Sequence, residues 1–274
     1  MMSQELLPVL GIGAAAMDSE IPGFIFAAVL AVGICALIEV GRRIGMRHLA
    51  DEGEDATKGF NAIEGAVFAL LGLILAFSFS GALTRFDARR QLVITEVNSI
   101  GTAWLRIDLL PEDVQPQMRT LFRRYLDARI EGYQRLPDVK AFQAELARAS
   151  HLQSEIWALA VRSVVRSPVP GAPYLVLTSL NEMFDITTTR TESFRIHSPP
   201  VIFGMLAALA LACSLFAGYD MAMRRRRNLL HSISFAVVFA VTVYVIIDIE
   251  YPRLGMVNVS DSDQVMVDLR KSME

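Results

Sequence analysis

Five small side chains, Gly65, Ala69, Gly72, Ala76 and Ser80, recur at intervals of four, three, four and four within one apolar run. On a helix those intervals place them in a single stripe. In a membrane such a stripe serves one of two ends. It lets helix backbones approach closely, because packing drives association there, or it lines a water-filled path, with Ser78 and Ser80 as polar groups near its mouth. Glu64 bears on the choice. A carboxylate in a membrane helix costs about 2.5–3.5 kcal/mol at the centre and less near an end, so it should face protein or water. Glu64 stands near the start of its run, where snorkelling or protonation also satisfies it.

A second set of polar residues flanks the apolar runs. Asp248 and Glu250 close the last of them. Two acids at a helix C-terminus oppose the macrodipole by about 0.3–1 kcal/mol each, so a cation should answer them. Arg253, Arg89 and Arg195 are the candidates. The outcome is either an ion-pair cluster that docks one part of the protein on another or a charged ring at a pore mouth. Asn181, Asp185, Thr188, Thr189 and Glu192 share a helix face before the third run, and Asp87, Arg90, Glu96 and Asn98 follow the second. Both sets read as solvated faces, or as the lining of a vestibule.

Enzyme chemistry finds no support. There is no glycine-rich phosphate loop, no CxxC pair and no HExxH, and His48, His151, His197 and His231 are scattered without metal-ligand spacing. No catalytic residue, cofactor or metal is expected. Cys35 and Cys213 fall inside apolar runs and read as small packing residues. With 26 basic against 29 acidic residues, nothing marks a nucleic-acid partner.

The elements that hold these residues follow from composition. Of 274 residues, 53% are apolar and 20% charged, an excess over soluble domains. The excess is concentrated in four runs, 21–40, 60–82, 200–219 and 232–247, the last extended by its flanks. About twenty helical residues cross a 30 Å hydrocarbon core, so four transmembrane helices are predicted. Between the second and third lies a helical extramembrane domain, 83–199. Its first helix, 85–110, continues the second span directly, with Gly81 the only weak point. Helices from Pro111 to about 133, over 139–163 and over 174–197 follow, the last two separated by Pro168, Pro170, Gly171 and Pro173. The fold class is therefore an all-α membrane protein. It divides into an N-terminal segment 1–20, spans one and two at 21–82, the domain 83–199, spans three and four at 200–250, and a C-terminal tail 251–274. Residues 1–10 contain no Lys or Arg, so the N-terminal segment reads as exposed or interfacial rather than as a signal peptide.

Arg42, Arg43, Arg47 and Lys58 lie between the first two spans and Arg224, Arg225, Arg226 and Arg227 between the last two. By the positive-inside rule both short loops are cytoplasmic, which puts the termini and the central domain on the outward side of the membrane, the periplasmic side if the membrane is the bacterial inner membrane that the resemblance below implies.

The runs AIEGAVFALLGLILAFSFSGALTRFDARRQLVITEVNSIGTAWLRIDLLP (62–111), LNEMFDITTTRTES (180–193) and VIIDIEYPRLG (245–255) resemble the bacterial bestrophin-like domain family. That family is a four-span membrane protein domain of unknown function, named for a distant similarity to bestrophins. Bestrophins are oligomeric, helical, anion-selective channels whose second spans line the pore. The resemblance implies that Gly65, Ala69, Gly72, Ala76 and Ser80 face a pore, with Glu64 beside them. Phe77 and Phe79 are a loose counterpart of the bestrophin aromatic constriction. Arg89, Asp185, Thr189, Asp248 and Glu250 are the mouth or vestibule candidates. The expectation is a homo-oligomeric ion channel in a lipid bilayer, with inorganic ions as its other partners. The alternative is a non-conducting scaffold or sensor whose helical domain binds a partner.

Overall fold

The computed structural model describes residues 20–52, 60–136, 138–194, 196–223, 229–251 and 260–274. Among them there are helices and no strand, and four helices are long and apolar enough to cross a membrane. The protein is an all-α, multi-pass membrane protein, as its composition predicts. The N-terminal segment up to residue 19 lies outside the described residues.

The chain forms two compact units, and the first comprises Met1–Thr84 and Ser198–Gly255. It holds α1 (Glu20–Glu52), the first part of α2 (Phe60–Leu105), α6 (Pro200–Met223) and α7 (Leu229–Glu250). α1 packs on both α6 and α7. Its buried positions, Gly23, Ala27, Leu30, Ile34, Ile38, Gly41 and Gly45, repeat every three or four residues along one face. α1 also runs well past the loop boundary expected at residue 41. Arg42 and Arg43 therefore sit on helix, where both pair with Glu39, at 2.7 and 3.0 Å.

At the α1–α6 crossing the two backbones touch. A Cβ added at Gly41 would stand 2.0 Å from the Leu215 carbonyl oxygen, and one at Gly218 would stand 2.0 Å from that of Ile38. At Gly45 it would meet the Ala222 Cβ at 2.8 Å. Gly41 and Gly45 form a G-x-x-x-G pair, and Ser214 and Gly218 a small-x-x-x-small pair. This is the close-approach geometry that small residues permit in membranes. The small-residue pattern of the sequence pointed to the second span for it instead.

The second unit comprises Arg85–His197 and Met256–Glu274. α2 enters it without interruption at Gly81, a continuous helix to Leu105. A 3₁₀ turn over Arg106–Leu109 follows, and α3 (Gln115–Arg135) starts four residues later than Pro111 suggested. Pro111 lies in the preceding turn, where its carbonyl accepts from Val114 at 3.0 Å, and the first-turn proline is Pro116. α4 (Val139–Val164) is capped by Asp138, whose carboxylate accepts from the amides of Lys140 and Ala141, both at 3.1 Å. Asp138→Ala should lower the stability of this unit by about 1 kcal/mol, read as a lower melting temperature.

Gly171, at φ +82°, turns the chain into α5 (Ala172–Ser193) through a left-handed conformation that other residues adopt only under strain. α3 packs on α4, and α4 on α5. Phe122, Tyr125, Leu126, Leu152, Ile156, Leu180 and Met183 form the centre of their shared core. The tail, for which the sequence predicted no element, contains α8 (Ser260–Ser272), which packs on α3.

Candidate pore helix and buried charge network

In the membrane part of α2, Leu71 and Ala82 are buried, and Glu64, Val67, Phe68, Ile74, Leu75 and Ser78 are half-buried on the same side. Phe68 meets Phe235 of α7 edge-on at 6.2 Å. Ser78 donates to the Ile74 carbonyl of its own helix at 2.8 Å, so its hydroxyl is satisfied locally. The stripe takes the other side: Gly65, Ala69, Gly72, Ala76 and Ser80 are all exposed. A Cβ at Gly65 or Gly72 would meet nothing within 4 Å. Only 11% of the apolar window of this helix is buried, against 22%, 33% and 44% in the other three. Among the described residues of one chain the stripe therefore packs against no helix.

Glu64 does not lie on the stripe. It sits about 100° around the helix from Gly65, on the covered side, within electrostatic reach of the Cys213 thiol of α6. Phe77 and Phe79 are exposed.

The mouth candidates divide by burial. Asp185 and Thr189 are exposed on α5, one turn apart, and the Thr189 hydroxyl donates to the Asp185 carbonyl at 3.0 Å. Arg89 is buried, and its guanidinium donates to the carbonyls of Ser193 at 3.3 Å and Ile196 at 2.8 Å, which satisfies the end of α5. In the first unit Asp248 and Glu250 are both buried. Glu250 accepts from the Ser198 amide at 2.7 Å and its hydroxyl at 3.4 Å, so the last acid of α7 anchors the approach to α6. Arg195 and Arg253, two of the expected answering cations, lie outside the described residues.

The second unit also holds a charge network that the sequence pattern did not announce. Glu96, which reads as part of a solvated face, is 0% exposed. One of its oxygens accepts from Arg129 Nε and the other from Arg190, each at 2.7 Å. Arg129 also donates to the Tyr133 hydroxyl at 2.8 Å, and the Arg190 guanidinium lies 3.7 Å from the centre of the Tyr133 ring. The two arginines are buried as completely as the acid. Burial alone would lower the pKa of Arg129, but the adjacent Glu96 charge outweighs it and holds the guanidinium above its ordinary value. By contrast, Asp87 and Arg90 are exposed and only 3.9 Å apart, a solvated pair as expected.

Beside this network runs a neutral chain. Thr187 donates to the Met183 carbonyl at 2.9 Å, so its one hydrogen is committed. Tyr125 must then donate to Thr187 at 2.8 Å while accepting from Gln153 at 3.3 Å. Burial pushes the Tyr125 hydroxyl up to about 12, which keeps it neutral.

Among the described residues no group of three metal-ligating side chains comes together. The geometry thus offers two places of interest: an uncovered small-residue face on a membrane helix, and a buried ionic core in the helical unit. No curated protein and no solved structure matches the chain. The model of one family, described as the bestrophin-like domain, matches residues 29–264. That region takes in most of the first span, the other three spans and the Glu96, Arg129 and Arg190 network, so the chain belongs to the bestrophin-like domain family.

Proposed function

We propose that the protein is a homo-oligomeric ion channel of a bacterial inner membrane, with α2 of each copy turned toward a shared axis. The observation that supports this is the uncovered stripe. Glycine in a helix costs about 1 kcal/mol relative to alanine, and an added Cβ at Gly65 or Gly72 meets nothing within 4 Å among the described residues. Against lipid, larger apolar residues would serve better. Against neighbouring copies of α2, small residues leave room for a path and for close packing at its rim. The family supports a membrane protein of channel type.

In this reading Gly65, Ala69, Gly72, Ala76 and Ser80 line the path, and Glu64 stands at its shoulder near one end. Arg89, Asp185 and Thr189 are vestibule candidates on the helical unit, and Asp248 and Glu250 are mouth candidates at the end of α7. The basic short loops face the cytoplasm, and the helical unit faces the periplasm.

The test is ion flux in liposomes containing the purified oligomer. Wild type should conduct, and Gly72→Trp should reduce flux by an order of magnitude or more while the oligomer persists, as a side chain placed in a narrow path must. A well-folded oligomer that passes no ions rejects the reading. The alternative, a non-conducting scaffold or sensor, is favoured by the apolar residues that the helical unit exposes, among them Leu105 at 71%, Val165 at 76% and Tyr174 at 76%. It predicts that removing 119–167 abolishes the cellular phenotype while the spans still assemble.

A further inference from the structure

α8 is the shortest α-helix described in the second unit, and it lies over the buried Arg190. It docks through Met266 and Met273, which are buried in the core, through Leu269 packed against it, and through two polar contacts to α3. Arg270 pairs with Asp127 of α3 at 2.7 Å. Arg123 of α3 donates to the Met273 carbonyl at 2.8 Å. Leu269 lies against Gly101 of α2, where an added Cβ would find it at 3.7 Å. Met266 is buried, and its sulfur accepts from Arg190 at 3.3 Å, so it caps the buried arginine directly.

Three physical facts make this cover weakly held. A helix of 13 residues is marginal in water without packing, so α8 is helical because it is docked. Its ion pair to α3 is partly solvated, with side chains 25% and 36% exposed, and pairs so exposed contribute little to stability. Finally, buried charges are stabilised by water, so hydration of Arg190 offsets part of the apolar burial forfeited when Met266 leaves.

We propose that α8 is a separable cover, which undocks from α3 as a unit while the rest of the helical unit stays folded, and so admits water to Glu96, Arg129 and Arg190. The device is a lid over an ionic core. It lets the helical unit change the charge that it presents without unfolding.

Methionine oxidation tests this on the full-length oligomer in detergent. Met118, Met183 and Met266 are equally inaccessible, at 1%, 0% and 1% exposure, but only Met266 is on α8. Oxidation follows exposure, so dilute peroxide followed by mass spectrometry at low conversion reads local opening. Met266 should oxidise at least about tenfold faster than the other two, as expected for a segment that opens below the global unfolding free energy. Arg270→Glu should accelerate Met266 further and leave Met118 and Met183 unchanged, and adding Asp127→Arg should restore the wild-type rate. Arg270→Gln serves where Arg270→Glu does not accumulate. Equal rates at the three methionines in wild type overturn the proposal, as does a variant that accelerates all three together.

Discussion

Gly218→Ala is expected to leave little correctly packed protein in the membrane. The added methyl would stand 2.0 Å from the Ile38 carbonyl oxygen and 2.8 Å from its carbon. A neighbouring side chain could rotate away, but a backbone carbonyl held in a helix cannot. α1 and α6 would have to separate along their whole crossing, and the packing on either side, such as Gly45 with Ala222, would open with them. Overpacking of a core costs about 1–3 kcal/mol, and a clash with backbone belongs at or above the top of that range. Gly41→Ala should act in the same way through Leu215. Gly72→Ala is the control, since nothing lies within 4 Å of its added carbon. It should be neutral or gain up to about 1 kcal/mol of helix propensity in the isolated chain. Thermal melts followed by size exclusion separate the cases, and equal tolerance at positions 218 and 72 would refute the packing account.

The second large effect is expected at position 96. Glu96→Gln removes the carboxylate that two buried guanidinium groups share, at almost unchanged shape. Breaking a buried ion pair from one side costs about 3–5 kcal/mol, because the charge left behind loses its counterion without regaining water. Set against a total stability of about 5–15 kcal/mol for a domain, the helical unit should unfold at a much lower temperature or be degraded before it accumulates. The combined replacement Glu96→Leu, Arg129→Met and Arg190→Met should cost markedly less than the single one, since it strands no charge. Asp87→Asn, on the exposed neighbouring pair, should change stability by no more than about 0.5 kcal/mol. If Glu96→Gln and Asp87→Asn melt alike, the network does not carry the weight assigned to it.

These residues also show what a sequence discloses. The four spans were legible because their runs are nearly free of charge, and the continuity of α2 through Gly81 followed from the absence of any stronger break. The stripe on α2 was legible as a pattern. Its use was not, because whether Gly72 meets a neighbour depends on elements far away in the chain. The same limit hid the α1–α6 crossing: the Gly41 and Gly45 pair is plain in the sequence, but its partner at Gly218 lies more than 170 residues on. Glu96 did leave a signal that went unread. It falls with Val93, Val97 and Ile100 at the spacing of one buried helix face, and a lone carboxylate there requires a cation from elsewhere. Arg190, which follows Met183 and Thr187 at the same spacing, makes the matching statement from α5. The start of α3 shifted by four residues because Pro111 belongs to the preceding turn, and α5 starts two residues early because Pro173 belongs to its first turn.

One carboxylate shared between two arginines has a consequence for descent as well as for stability. A pairwise salt bridge can be lost or reversed in two steps, each partner compensating the other. Here a change at Glu96 strands two charges contributed by two different helices, and no single second substitution repairs it, whereas loss of one arginine leaves a neutral pair. Lineages of this protein should therefore hold Glu96 for as long as both arginines are present, and lose an arginine before the acid.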